Sequence, residues 1–134
     1  PVCAPKFLEK YPHIQSATDL LHVPLIHSEA RLISWSMWME NVGVRGFNPV
    51  KGLHFNRAAL AIDAARNGMG VALEGKTAVR DELMQGRLII PFDTPPYPDQ
   101  QVGYYLTYPE GQGELPKVRA FRAWVFEEAQ EQDI

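Results

Sequence analysis

Apolar positions along the chain change their period several times, and each change marks an element. Leu53-His54-Phe55 is a short apolar stretch with one polar interruption, a strand by its length. Ala58, Ala61, Ile62, Ala65 and Met69 then recur every three or four residues, the spacing of one helix face. Asn56 stands where this helix needs its N-cap, because its side-chain oxygen can accept from an unpaired N–H of the first turn. Gly68 suits the left-handed position just past the helix end. Val71-Ala72-Leu73, apolar on both sides, reads as a strand buried in a parallel sheet. Strand, helix and strand within about twenty residues form a βαβ unit, whose crossover is right-handed almost without exception.

The same reading extends to both sides of this unit. Pro1 to Cys3 is a strand end, Lys6 to Lys10 a helical turn stopped by Tyr11-Pro12, and Thr18 to Leu21 another turn. Pro24-Leu25-Ile26-His27 is a strand, with Pro at its first position where a missing donor is tolerated. A helix runs from about Ser34, with Trp35, Trp38, Met39 and Val42 on one face and Gly43 as its stop. Gly46 to Lys51 is a loop. Gly75-Lys76-Thr77 opens a third helix that runs to Gln85, with Ala78, Val79 and Leu83 inward and Gly86 beyond its end. Arg87 to Pro91 is predicted as a strand, the proline-rich Asp93 to Gln100 as a loop, and the alternating Gln101 to Tyr108 as a half-exposed strand. After the Gly111 to Glu114 break, Pro116 starts a last helix striped by Val118, Phe121, Val125 and Ala129. The pattern is α/β, with a mostly parallel sheet flanked by helices.

Composition narrows the function classes. Apolar residues make up 46% of the 134 positions, enough for a core in one domain. The formal net charge of −3 is unlike the basic surface of a domain that itself grips DNA phosphates. One cysteine, Cys3, rules out an internal disulfide framework and fits a reducing, cytoplasmic setting. No apolar run reaches the roughly 18 residues of a membrane span. The chain opens on Pro1-Val2-Cys3 without Met, and Val2-Cys3 reads as a strand begun midway, so a piece of a longer protein is expected.

Catalytic patterns do not form. Gly68-Met69-Gly70 lacks the third glycine of a dinucleotide fingerprint and precedes a strand where the motif follows one. His13, His22, His27 and His54 have no metal-ligand spacing, no Gly-x-Ser-x-Gly elbow occurs, and Cys3 suits a buried apolar role. No enzyme, metal or cofactor is expected. A binding site is expected where ligands collect on open parallel sheets, at the carboxyl ends of strands facing helix N-termini. The loops after His27 and after Phe55 have that character, so the candidates are His27, Ser28, Arg31, Asn56 and Arg57, with an aromatic wall from Tyr104 or Tyr105. Arg31 and Arg57 suit a carboxylate through charge-assisted bonds, against the plainer reading of solvent-facing helix starts. Tyr104 and Tyr105 point to opposite faces of a strand, so at most one meets the ligand.

Several stretches, in order, carry a resemblance. They are Val2-Cys3-Ala4-Pro5, Trp35-x-x-Trp38-Met39 ending at Gly43, Ala64 through Leu73, Gly86-Arg87-Leu88-Ile89-Ile90-Pro91-Phe92, Tyr104-Tyr105-Leu106, and Val118 through Trp124. Together they resemble the effector-binding (substrate-binding) domain of LysR-type transcriptional regulators, nearest the subgroup of glycine-cleavage and β-lactamase regulators. The resemblance implies a type 2 periplasmic-binding-protein fold. On that template residues 1–109 are the second of two lobes, and 110–134 are a linker and a helix belonging to the first. It also implies a small-molecule effector held between the lobes, a DNA-binding winged helix-turn-helix outside this chain, and a homodimer or homotetramer in the cytoplasm, with no membrane. One departure from the pattern is Arg57-Ala58, where many relatives carry small polar residues. The alternative is a lobe of a solute-binding protein for transport or reception, which shares the architecture.

Overall fold

The computed structural model describes residues 1–29, 31–94 and 105–131. They group into two units, Pro1–Gln100 and Gln101–Ile134. The first holds a three-stranded parallel sheet in the order β2-β1-β3, made of β1 (Leu25–Ser28), β2 (Leu53–Phe55) and β3 (Val71–Ala72). Helices α1 (Pro5–Lys10), α2 (Trp35–Asn41), α3 (Ala58–Arg66) and α4 (Lys76–Met84) flank it, with a 3-10 helix at Ala17–His22. The βαβ unit read around Asn56 is present. Its two strands are not neighbours, because β1 lies between them and pairs in parallel with both.

Alternation along the strands divides the core in two. Leu25 and Val71, with Cys3, belong to a cluster built on Phe7, Leu20, Trp35, Trp38 and Met39. Their neighbours Ile26 and Ala72, with Val2, belong to a second cluster with Ala61, Ala64, Ala65, Val79 and Leu88. The alanine face of α3 therefore packs onto the sheet, as its sequence predicts. Ser34 caps α2, its side chain accepting from the Met37 N–H at 3.3 Å. The buried Trp35 indole donates to the Ile26 carbonyl at 2.9 Å, which ties α2 to the central strand.

Several local expectations are corrected. Asn56 is not the cap of α3. The β1–β2 pairing runs on to the Phe55 carbonyl, which accepts from the Glu29 N–H at 2.9 Å, so Asn56 falls in the bend and Arg57 takes the N-cap position without a side-chain bond. Met69 is 49% exposed and leaves the apolar stripe, lying beyond the stop that Gly68 makes at φ 75°. Arg87 to Pro91 is not a strand. The Arg87 and Leu88 N–H groups turn back onto the Glu82 carbonyl at 2.9 and 3.1 Å, and only Ile89 pairs, antiparallel, with Cys3. Of the strand expected over 101–108, residues 101–104 lie outside the described residues and 105–108 form no strand.

The second unit carries α5 (Pro116–Glu131), with Pro116 at its start as predicted. Its Arg122 guanidinium donates to the Tyr108 hydroxyl at 3.2 Å. Of the expected stripe, Val118 and Val125 are half-buried, whereas Phe121 and Ala129 are exposed, as are Trp124 and Phe126.

Two glycines sit where the backbone presses on the central strand. A Cβ on Gly52, at φ 134°, would lie 2.5 Å from the Leu25 carbonyl oxygen, and one on Gly70 would lie 2.7 Å from the Pro24 carbonyl oxygen. Gly52→Ala and Gly70→Ala are each expected to destabilise the fold by about 2 kcal/mol through overpacking, with backbone strain added at Gly52. Urea unfolding midpoints check this, and midpoints within error of wild type would contradict the close approach.

Candidate ligand-binding site

All three strands run the same way, so Ser28, Phe55 and Ala72 end at one edge of the sheet. The chain leaves that edge through short loops into the N-termini of α2, α3 and α4. Unpaired N–H groups and the positive ends of helix dipoles are therefore directed to the same side.

Ser28 is the last residue of β1 and shares a face with Ile26. Its hydroxyl oxygen is buried and has no hydrogen-bond partner among the described residues. Arg31, in the loop after β1, reaches across to the carboxylate of Glu74, in the loop after β3, and the two form an ion pair through Arg31 Nη2 and Glu74 Oε2. The Glu74 side chain is 0% exposed and that of Arg31 22%. The sheet register, Leu25 with Val71 and Ile26 with Ala72, carried two residues on, puts Ser28 level with Glu74. All six buried side-chain N or O atoms without a hydrogen-bond partner among the described residues belong to Ser28, Arg31, Glu74 and Arg80. Three of these residues lie at the strand ends, and Arg80 lies within α4.

The structure thus brings together Ser28 and Arg31 and adds Glu74, which the sequence reading passed over. Glu74 directly follows the apolar strand Val71-Ala72-Leu73, and the strand-end rule applied to β3 would have found it. Asn56 and Arg57 are exposed at the start of α3 on the same edge. Tyr105, in the second unit, is 77% exposed, and Tyr104 lies outside the described residues.

His27 faces the other way. It alternates with Ser28 along β1 and stacks flat on His54 of β2, ring centroids 4.1 Å apart and 8° from parallel. Its Nε2–H donates to the Lys51 carbonyl at 3.0 Å, and Phe47 stacks at 6.2 Å. His54 Nδ1 lies 3.8 Å from a Glu29 carboxylate oxygen. Burial pushes the His27 pKa below its ordinary value and the neighbouring His54 adds to this, while the Lys51 carbonyl and Glu29 oppose it. Among the described residues, no cluster of His, Cys, Asp and Glu could hold a metal ion, and no helix is long and apolar enough to cross a membrane. Cys3 is fully buried, which pushes its thiol up to about 11.

Three parallel strands whose ends face helix N-termini are the edge at which open α/β sheets commonly hold ligands. The LysR substrate-binding domain model matches residues 1–130, and the chain belongs to that family. It is 38% identical over 130 residues to the uncharacterized HTH-type transcriptional regulator y4mQ of Sinorhizobium fredii, covering 97% of this chain and 42% of that protein. It is 32% identical over 132 residues to the glycine cleavage system transcriptional activator of Escherichia coli, covering 96% of this chain and 41% of the activator. The solved effector-binding domain of AmpR from Citrobacter freundii superposes with a TM-score of 0.76 at 28% identity, over 98% of this chain and 62% of that one. The type 2 periplasmic-binding-protein fold implied by the resemblance is therefore observed, and these relatives are regulators, which favours that reading over a solute-binding lobe. The chain spans about two fifths of the length of the curated relatives it matches.

Two outcomes follow from the charges. Arg31→Leu leaves the buried Glu74 carboxylate without its counter-charge and is expected to cost about 3 kcal/mol. Glu74→Gln leaves only the partly exposed Arg31 unpaired and is expected to cost about 1 kcal/mol. Denaturant unfolding at pH 7 measures both, and equal losses would contradict the asymmetric burial.

The second outcome concerns pH. The unfolded chain protonates His27 near pH 6.5 and the folded chain only below that. The unfolded state therefore binds more protons in this window, and stability falls as pH drops through 6.5 toward the folded pKa. His27→Gln is expected to flatten the decline between pH 7.5 and about 5.5. A wild-type slope in the variant would remove His27 as its source.

Proposed function

We propose that this chain is the effector-sensing part of a LysR-type transcriptional regulator, and that it captures a small carboxylated metabolite at the carboxyl edge of its sheet. The observation that carries this reading is the convergence of three strand ends, three helix N-termini and the buried polar side chains of Ser28, Arg31 and Glu74 on one edge of a LysR-family domain. Arg57 serves as the carboxylate anchor. It stands exposed at the N-terminus of α3, where the helix dipole adds to its charge, whereas Arg31 already carries Glu74. Ser28 and Asn56 supply polar contacts beside it. His27, stacked on His54, supports the sheet from its other face.

The ligand acts by binding two arrangements of the regulator with different affinity, since equal affinity would shift nothing. No bond is made or broken. Residues 1–109 act as the second lobe of the effector domain, and the helix after the Gly111 to Glu114 break belongs to the first. DNA is held by a helix-turn-helix domain elsewhere in the regulator, in keeping with the HTH-type relatives and with the −3 charge of this chain. The regulator works in the cytoplasm as a homo-oligomer.

Calorimetric titration of the intact protein with a panel of carboxylated metabolites tests the proposal. A binding metabolite is expected to lose at least about tenfold in affinity on Arg57→Ala, the loss of one charge-assisted hydrogen bond. Equal affinities in wild type and variant would take Arg57 out of the site.

A further inference from the structure

The turn that joins α3 to β3 carries a reactive dipeptide that the ligand site does not use. Asn67-Gly68 is the one Asn-Gly pair in the chain, since Asn41, Asn48 and Asn56 precede Val42, Pro49 and Arg57. Glycine has no Cβ, so its backbone nitrogen is the least hindered in approaching the amide carbon of a preceding Asn. Asn67 is exposed, and water and base can reach it. In the folded chain three features hold the reacting groups apart. Asn67 stands at ψ 0° as the C-cap of α3, so the Gly68 nitrogen eclipses the Asn67 backbone nitrogen and not its Cβ. The Asn67 side chain turns back along the helix, its Nδ2–H donating to the Asp63 carbonyl at 2.8 Å. The Gly68 N–H donates to the Ala65 carbonyl at 2.9 Å.

We propose that Asn67-Gly68 is a modification site, locked by the C-cap of α3, at which the chain deamidates when this turn opens. The Gly68 nitrogen loses its proton to base and bonds to the Asn67 side-chain carbonyl carbon. The bond from that carbon to Nδ2 breaks, ammonia leaves and a succinimide closes. Water then opens the ring at either carbonyl, giving aspartate or iso-aspartate. One water is consumed and one ammonia released, with no oxidant or reductant. Either product harms the turn. Iso-aspartate lengthens the main chain by one atom between residues 67 and 68, so the Gly68 bond to Ala65 and the Met69 N–H bond to the Ala64 carbonyl at 3.1 Å must both shift. The chain is already pressed on the central strand at Gly70, which leaves the added atom little room before β3. Aspartate loses the Nδ2–H donor and sets a carboxylate against the Asp63 carbonyl, at the negative end of the helix dipole.

The test incubates the intact chain at mildly alkaline pH, once in native buffer and once unfolded in guanidinium chloride. Peptide mapping by mass spectrometry follows the conversion of amide to acid at each Asn, and iso-aspartyl methyltransferase labelling identifies the iso-aspartate product. In the unfolded chain residue 67 is expected to convert faster than residues 41, 48 and 56. In native buffer residue 67 is expected to convert at least about tenfold more slowly than in denaturant, because opening breaks two hydrogen bonds at once. A smaller difference overturns the lock. Conversion in denaturant that is no faster at residue 67 than at the other three overturns the site. Chains modified at residue 67, separated by ion exchange and returned to native buffer, are expected to unfold at lower urea concentration than unmodified chains. An unchanged midpoint overturns the damage assigned to the turn.

Discussion

The constraint on which the structure depends is the parallel pairing of β1 with a strand on each side. Leu25–Ser28 is the only strand with two strand neighbours among the described residues. Its register with β2 and β3 fixes which side chains meet, because a slip of one residue would exchange the two faces of the sheet. Leu25 feeds one core and Ile26 the other, and the Trp35 indole closes on the Ile26 carbonyl from the helix above. Gly52 and Gly70 allow the flanking backbone to approach this strand closely. Only with all three strands parallel do their ends share an edge, and only then can residues from separate loops form one site.

That edge and the opposite face of the sheet have different chemistry, for a reason as simple as side-chain alternation. His27 and Ser28 are neighbours in the chain and occupy opposite faces. His27 enters an aromatic stack with His54 and Phe47, where burial disfavours its proton. Ser28 enters the polar group with Arg31 and Glu74. The two arginines also separate. Arg31 is drawn into a buried pair, while Arg57, at a helix start with no side-chain bond, keeps its charge available. Cys3 is fully buried, which pushes its thiol up to about 11.

Family membership gives this arrangement its context. Regulators sharing the domain are more than twice as long as the stretch matched, and the effector-binding domain from Citrobacter freundii has the same fold at 28% identity.

The sequence by itself determined the succession of elements and the family. Helix faces such as Trp35-Trp38-Met39 and Ala61-Ala64-Ala65, and stops such as Gly43, Gly68 and Gly86, depend on neighbours three or four residues away, so periodicity exposes them. Strand ends were less legible. Asn56 has the chemistry of a cap, but pairing of β2 with β1 as far as Phe55 moved the helix start to Arg57. Only the tertiary structure decided that β1 lies between the strands of the βαβ unit, that His27 turns away from Ser28's neighbours, and that Glu74 meets Arg31. Charges so far apart in the chain leave no local pattern, and it is the parallel register of three short strands that brings them into contact.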